Sequence, residues 1–306
     1  MKIIKPKFWD KNNIIVFFLF PLTLITRLII LIKKSRNKYK SKIKTICVGN
    51  IYIGGTGKTQ LVVTLAGLLK NKYKVFTIKK KYQNQIDEQK LLADKTNLIL
   101  PDSRVNGLKQ IKSSKNNIAI FDDGLQDKTI EYDLSIVCFS SISGIGNGKL
   151  LPAGPLRENL SEISKYDAVL INGEKNKILE KKIRCYNQKI KIFYSKYILK
   201  NKRNFTHKGG YLAFCGIGTP ENFFNLLKEN KIKVSEKIIF PDHFDYNDKE
   251  INKIKKLILS KNLKIVTTEK DFMKIKNFKN HNIKFTNVDL KIKNKLNFKK
   301  FIFNYL

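Results

Sequence analysis

Residues 45–71 constrain this chain more than any other segment. An apolar run, Thr45-Ile46-Cys47-Val48, meets Gly49-Asn50-Ile51-Tyr52-Ile53-Gly54-Gly55-Thr56-Gly57-Lys58-Thr59. Leu61, Thr64, Leu65, Leu68 and Leu69 then recur at helical spacing. A buried strand, a glycine turn and a helix predict a βα unit whose turn presents consecutive backbone N–H groups at a helix N-terminus, which is an anion site. In such a loop Lys58 would reach the β- and γ-phosphates of ATP and the Thr59 hydroxyl would bind Mg²⁺. Tyr52 stands where the strict G-x-x-x-x-G-K-T pattern has glycine, while Gly54, Gly55 and Gly57, with Thr56 among them, still give the backbone its freedom. The alternative is a glycine-rich turn that holds no nucleotide.

The rest of the chain extends this unit. Apolar runs at 75–78, 97–100, 118–121, 134–138 and 168–171 are separated by stretches of helical character. Strands alternating with helices predict parallel βαβ units and an open α/β sheet covered on both faces. Residues 176–208 are rich in Lys and Asn, and the alternation over 190–197 reads as a hairpin connector. A second cycle follows, with strands at 211–214, 237–240 and 264–267 and helices at 221–229 and 248–260. The expected fold is a P-loop NTPase-like parallel-sheet domain over 41–208 and a smaller α/β domain over 209–306. An N-terminal hydrophobic membrane helix and basic connector would occupy 1–40.

Ile14–Ile32 is almost wholly apolar, and a bilayer-spanning helix needs roughly 20 such residues. Arg27 lies near its end, where a long side chain can snorkel. Seven basic residues and no acid follow between Lys33 and Lys44, so the positive-inside rule places the body of the protein in the cytoplasm. The formal net charge of +36 does not argue for nucleic acid, because only six of the 61 basic residues are Arg, the residue that base and phosphate readers favour. Diffuse lysine suits an anionic membrane surface instead. Four separated cysteines with no CxxC pair exclude a disulfide scaffold and a zinc ribbon.

Several loops carry further candidates. Ile118-Ala119-Ile120-Phe121-Asp122-Asp123 is an apolar strand ending in two carboxylates, which beside a phosphate loop can hold Mg²⁺. Leu150-Leu151-Pro152-Ala153-Gly154-Pro155-Leu156-Arg157-Glu158 is a rigid turn ending in Arg-Glu, a candidate phosphate clamp or a structural loop. Phe240-Pro241-Asp242-His243-Phe244-Asp245-Tyr246 offers a His beside carboxylates as an acid, base or orienting group, or a plain surface loop. Thr267-Thr268-Glu269-Lys270-Asp271 reads as a helix cap first and a substrate contact second.

In this order, the segments 48–59, 121–126 (FDDGLQ), 150–158, 214–224 (FCGIGTPENFF), 240–246 and 267–271 resemble the tetraacyldisaccharide 4′-kinase family, and the resemblance covers nearly the whole chain. It implies an inner-membrane enzyme, its catalytic body on the cytoplasmic side, that transfers the ATP γ-phosphate to the 4′-hydroxyl of a tetraacylated glucosamine disaccharide 1-phosphate, giving lipid IVA. By resemblance Asp87 is the catalytic base, oriented by His243, each on a loop and one in each domain. Lys58 and the loop Gly54–Thr59 would hold ATP, and Thr59, Asp122 and Asp123 the metal. Arg104 and Arg157 are candidate anionic clamps, and Glu158 and Glu88 candidate metal partners. Three departures stand out: Ile86-Asp87-Glu88-Gln89 for the family's Gly-Asp-Glu-Pro, Lys79-Lys80-Lys81-Tyr82 for Ser-Arg-Gly-Tyr, and Asp127 for a His. The rival reading is a membrane-associated P-loop regulatory ATPase with no small-molecule acceptor.

Overall fold

The computed structural model describes residues 5–32, 38–83, 85–275 and 283–306; most of the basic connector, at 33–37, lies outside the described residues. The chain packs as two compact units. One comprises Pro6–Tyr82, Leu92–Lys196 and Leu290–Leu306, and the other chiefly Gln83–Leu91 and Tyr197–Asp289. These units are discontinuous, unlike the boundary near 208 expected from the sequence. The C-terminal helix Lys295–Phe303 returns to the larger unit because Phe298 and Ile302, one turn apart, bury against it, with the Phe298 ring 5.0 Å from that of Phe193.

In chain order the strands are β1 (Tyr39–Lys40), β2 (Lys44–Gly49), β3 (Lys74–Ile78), β4 (Leu98–Ile99), β5 (Asn117–Asp122), β6 (Ile130–Glu131), β7 (Leu134–Ser140), β8 (Ala168–Asn172) and β9 (Lys191–Leu199). They continue with β10 (Tyr211–Cys215), β11 (Val234–Ile239), β12 (Lys264–Thr268), β13 (Ile283–Thr286) and β14 (Val288–Ile292). The large sheet runs β14-β9-β8-β7-β2-β5-β3-β4, and its pairs from β9 through β4 are parallel. Every residue of β5, β7 and β8 is buried, as a sheet covered on both faces requires, and this is why these strands read as unbroken apolar runs.

The chain leaves β2, visits β3 and β4, and returns to place β5 between β2 and β3 before β7 pairs on the far side of β2. The C-terminal end of β2 is therefore a topological switch point, where open parallel sheets bind ligands. The expected hairpin at 190–197 is instead β9, parallel to β8 in the register Ala168↔Lys191. Its crossover is the helix Lys177–Arg184, which buries only Leu179 and Ile183. A two-residue stripe among lysines is too thin to read as a helix from sequence.

The smaller unit has the parallel sheet β11-β10-β12-β13. β10 feeds both faces: Tyr211, Ala213 and Cys215 pack with Phe223 and Leu227, while Leu212 and Phe214 pack with Tyr246, Ile251 and Ile254. That alternation is the strand's two-residue period. Asn247 starts the helix Asp248–Lys261 with a capping box to Glu250.

The N-terminal segment is helical over Ile14–Leu19 and Thr23–Ile32, joined by a 3₁₀ turn at Pro21. One side rests on the larger unit. Val16 and Thr23 are buried, Thr26 Oγ1 donates to Leu151 O at 2.6 Å, the Trp9 indole donates to Pro152 O at 3.0 Å, and Ile30 packs on Tyr52, Leu150 and Leu156. The other side exposes Ile14, Phe17, Phe18, Leu24, Leu28 and Leu31.

Candidate active site

The glycine loop opens the helix Lys58–Leu69, and its last residue, Gly57, adopts φ 91°. An L side chain is strained there, so glycine is needed for the turn into the helix. Tyr52, at the position where the strict motif has glycine, is 1% exposed and bridges to Leu156. The 150–158 loop lies along the outer arm of the glycine loop: Ile53 N donates to Pro155 O at 2.9 Å, and Arg157 N to Ile51 O at 2.8 Å. Tyr52 thus fills the seam that joins the two loops.

At the end of β5, Asp122 is level with Val48 of β2. Asp122 is fully buried; its Oδ2 accepts from Thr59 Oγ1 at 3.4 Å and from Lys79 Nζ at 2.8 Å, while its Oδ1 has no hydrogen-bond partner. Asp123 sits at φ 57°, a left-handed conformation that a short polar residue tolerates. Its two oxygens receive both terminal nitrogens of Arg157, at 2.8 and 3.2 Å, and Lys58 Nζ lies 4.0 Å away. Burial would raise the Asp123 carboxyl, but Lys58 and Arg157 outweigh it and hold the group far below the usual carboxylate range.

Several candidates brace this edge. Arg157 also donates to Asn50 O and Asn50 Oδ1, and Asn50 in turn donates to Tyr52 O and Gly54 O. Arg104 is 6% exposed and donates to Asp123 O at 2.6 Å and to Asp127 Oδ2 at 3.2 Å. Asp127 therefore serves as the carboxylate partner of Arg104. Glu158 accepts from Gln126, Tyr166 and Lys128, each at 2.9 Å. Lys79 was missed by sequence reasoning because it begins a run of three lysines that resembles a solvated surface. Its signal was position, one residue past an apolar parallel strand.

The smaller unit holds a second constellation. Asp87 lies in the first turn of the helix Ile86–Lys95, not on a loop, and in the same compact unit as His243, not in a separate domain. His243, at φ 56°, places Nδ1 3.1 Å from each Asp87 oxygen. Lys274 Nζ is 3.6 Å from Asp87 Oδ2, and Lys270 pairs with Glu88 Oε1 at 2.7 Å. Burial opposes ionisation of Asp87, yet the His243 hydrogen bond and the charges of Lys270 and Lys274 lower its pKa to about 2. Below them Asp271 accepts from Gly216 N, Thr268 Oγ1 and Tyr246 OH. Thr268 accepts from Asp271 N in return, the expected helix cap, and Asp271 anchors the loop that carries His243. Lys270, Lys274 and Asp271 are further residues of this cluster.

A phosphate loop at a switch point, with a lysine and a buried carboxylate beside it, defines a P-loop phosphotransferase that uses a nucleoside triphosphate. Comparison with known proteins narrows the class. The family model for tetraacyldisaccharide-1-P 4′-kinase (LpxK) matches residues 15–306. A tetraacyldisaccharide 4′-kinase of Pelagibacter ubique is 43% identical over 304 residues, covering 97% of this chain and 96% of that protein. That of Rickettsia akari is 34% identical, covering 96% and 95%. Among solved structures, LpxK from Aquifex aeolicus in complex with ATP superposes with a TM-score of 0.71 at 25% identity, covering 95% of this chain and 99% of that one. This chain belongs to the tetraacyldisaccharide-1-P 4′-kinase family.

Proposed function

We propose that this protein is an ATP-dependent lipid kinase that phosphorylates the 4′-hydroxyl of a tetraacyldisaccharide 1-phosphate in lipid A biosynthesis. The observation that carries the reading is the junction of the glycine loop with the Asp122-Asp123 pair, where Thr59 meets the buried Asp122 and Lys58 lies 4.0 Å from Asp123, in a chain of this family. Phosphoryl transfer is mainly positioning and charge neutralisation. Lys58 and the loop amides would hold the β- and γ-phosphates. A buried carboxylate oxygen without a partner beside a hydroxyl fits Mg²⁺. Thr59 and Asp122 would hold the ion, which when bound would supply positive charge to the triphosphate. Both oxygens of Asp123 are occupied by Arg157, so its part is to keep that guanidinium and Lys58 in place.

Asp87 would accept the 4′-hydroxyl proton. A carboxylate with a low pKa suffices because the proton moves late in a loose transition state. A carboxylate only accepts hydrogen bonds, so the Nδ1 of His243 is the protonated nitrogen and donates. The apolar side of Ile14–Ile32 would dip into the cytoplasmic leaflet of the inner membrane while its other side stays on the protein. This orientation would bring the body beside a substrate whose acyl chains remain in lipid.

The deciding experiment measures ATP turnover with and without the disaccharide lipid. Lipid-dependent transfer that is abolished in Lys58→Ala and Thr59→Ala, both still folded, supports the kinase. Turnover independent of the lipid supports the acceptorless ATPase.

A further inference from the structure

Lys79 is not needed by the reaction as derived above, yet it lies at the centre of the nucleotide edge. Ile78 of β3 pairs with Phe121 of β5, so Lys79, the residue just past β3, and Asp122, the last residue of β5, meet side by side. Both side chains are fully buried, and Lys79 Nζ is 2.8 Å from Asp122 Oδ2. Lys79 also helps to hold down the Asp123 carboxyl, so its charge is felt across the whole edge. A lysine is seldom buried completely without a charged partner, and here the partner is the carboxylate proposed for the metal.

This arrangement changes what a divalent ion contributes. In a P-loop site without such a lysine, the metal neutralises both the carboxylate and the phosphates. Here Asp122 is already neutralised, and Thr59 and Lys79 share its Oδ2, leaving Oδ1 without a partner. We propose that Lys79 is a built-in monovalent cation of the nucleotide site. It competes with Mg²⁺ for Asp122 and removes the repulsion that an unpaired carboxylate would exert on the triphosphate, so nucleotide binding by this chain depends only weakly on Mg²⁺. Lys79 is thus a positioning residue acting through Asp122. The inference rests on reading 49–59 as a nucleotide loop.

Calorimetric titration of the full-length chain with the non-hydrolysable analogue AMP-PNP, in EDTA and across a Mg²⁺ series, tests the proposal. In wild type the Kd should change less than about tenfold between EDTA and saturating Mg²⁺, because the fixed charge of a buried pair substitutes for part of the ion's. In Lys79→Met, metal-free binding should weaken about tenfold or more, while the Mg²⁺ concentration that restores it should fall, because Asp122 is released. A general folding defect would worsen both readouts, whereas competition between two cations moves them in opposite directions. Lys79→Ser should give the same pair of shifts and serves if the methionine variant does not fold. A wild-type ratio above tenfold, or variants whose two readouts move together or not at all, overturns the proposal. Absence of AMP-PNP binding in both conditions overturns the nucleotide loop and the proposal with it.

Discussion

His243 Nδ1 stands 3.1 Å from both carboxylate oxygens of Asp87, although the two residues are 156 positions apart in the chain. The contact is held from both sides. Asp87 is fixed in a helix first turn next to Lys270 and Lys274. His243 N donates to Gly216 O at 3.2 Å and to Asp242 Oδ1 at 3.1 Å. A left-handed backbone at a histidine persists only where surrounding contacts enforce it, and such positions gather at functional sites.

A pair built this way should behave as one unit. General-base catalysis contributes roughly 10²–10⁴-fold, so Asp87→Ala should lower kcat by about that factor with little change in the KM for ATP. Groups that act together are non-additive, so Asp87→Ala/His243→Ala should be scarcely slower than Asp87→Ala alone. The four-variant cycle measures this; losses that multiply fully would separate the two residues into independent roles.

The four thiols should divide sharply. Cys47, Cys138 and Cys215 are buried, and burial pushes their thiols above the usual range, leaving almost no reactive thiolate. Cys185 ends the helix Lys177–Arg184 in solvent. A thiol reagent at pH 7.5 should therefore titrate one group in the native protein and four in denaturant. Two or more fast thiols in the native state would contradict the buried positions of β2, β7 and β10.

The nucleotide edge was legible in the sequence because its requirements are local: an apolar strand, glycines where φ is positive, and Lys-Thr at a helix start all lie within 45–59. The Asp122-Asp123 pair was legible for the same reason. What depends on strand order was not. That Lys79 meets Asp122 follows from β5 inserting between β2 and β3, and nothing in a run of three lysines announces a fully buried one. The pairing of Asp87 with His243 came through the family resemblance and the two side chains do meet, but their sharing one unit was a packing outcome, since Gln83–Leu91 leaves the unit that precedes and follows it in the chain. Arg104 and Arg157 were expected as anionic clamps, but both terminal nitrogens of each hold the FDD loop, a role that spacing does not reveal.

The apolar side of Ile14–Ile32 should govern membrane association. A chain beginning at Ser41 lacks this helix and should no longer sediment with anionic vesicles in ~0.5 M salt, where the Debye length falls to about 4 Å and diffuse lysine is screened. At low salt a weaker, lysine-driven attachment should remain. The truncation also removes Trp9, Thr26 and Ile30 from the 150–157 loop, so hydrogen exchange there should quicken. Full vesicle binding by the truncated chain in high salt would assign the anchor to another surface.

Acid stability gives an independent test of the Asp87 environment. The Asp87 carboxyl is depressed from 3.8 to about 2, against the effect of burial, by His243, Lys270 and Lys274. A depressed carboxylate stabilises the fold fully above its unfolded pKa, and that contribution is lost as pH falls through the folded value. The window therefore runs from about pH 4 down to about pH 2. At 1.36 kcal/mol per pKa unit, the shift is worth on the order of 2 kcal/mol for a residue 2% exposed. Asp271 works in the opposite sense: burial, partly offset by its hydrogen bonds, raises its carboxyl, so protonation there favours the fold as pH falls. Asp87→Asn should therefore be less stable than wild type near neutral pH, and the gap should narrow by about 2 kcal/mol between pH 4 and pH 2. Urea midpoints measured across this range decide the matter, with Asp271→Asn as a second variant that should not narrow the gap in the same window. Curves for wild type and Asp87→Asn that stay parallel down to pH 2 would mean that the carboxylate gains nothing from its neighbours.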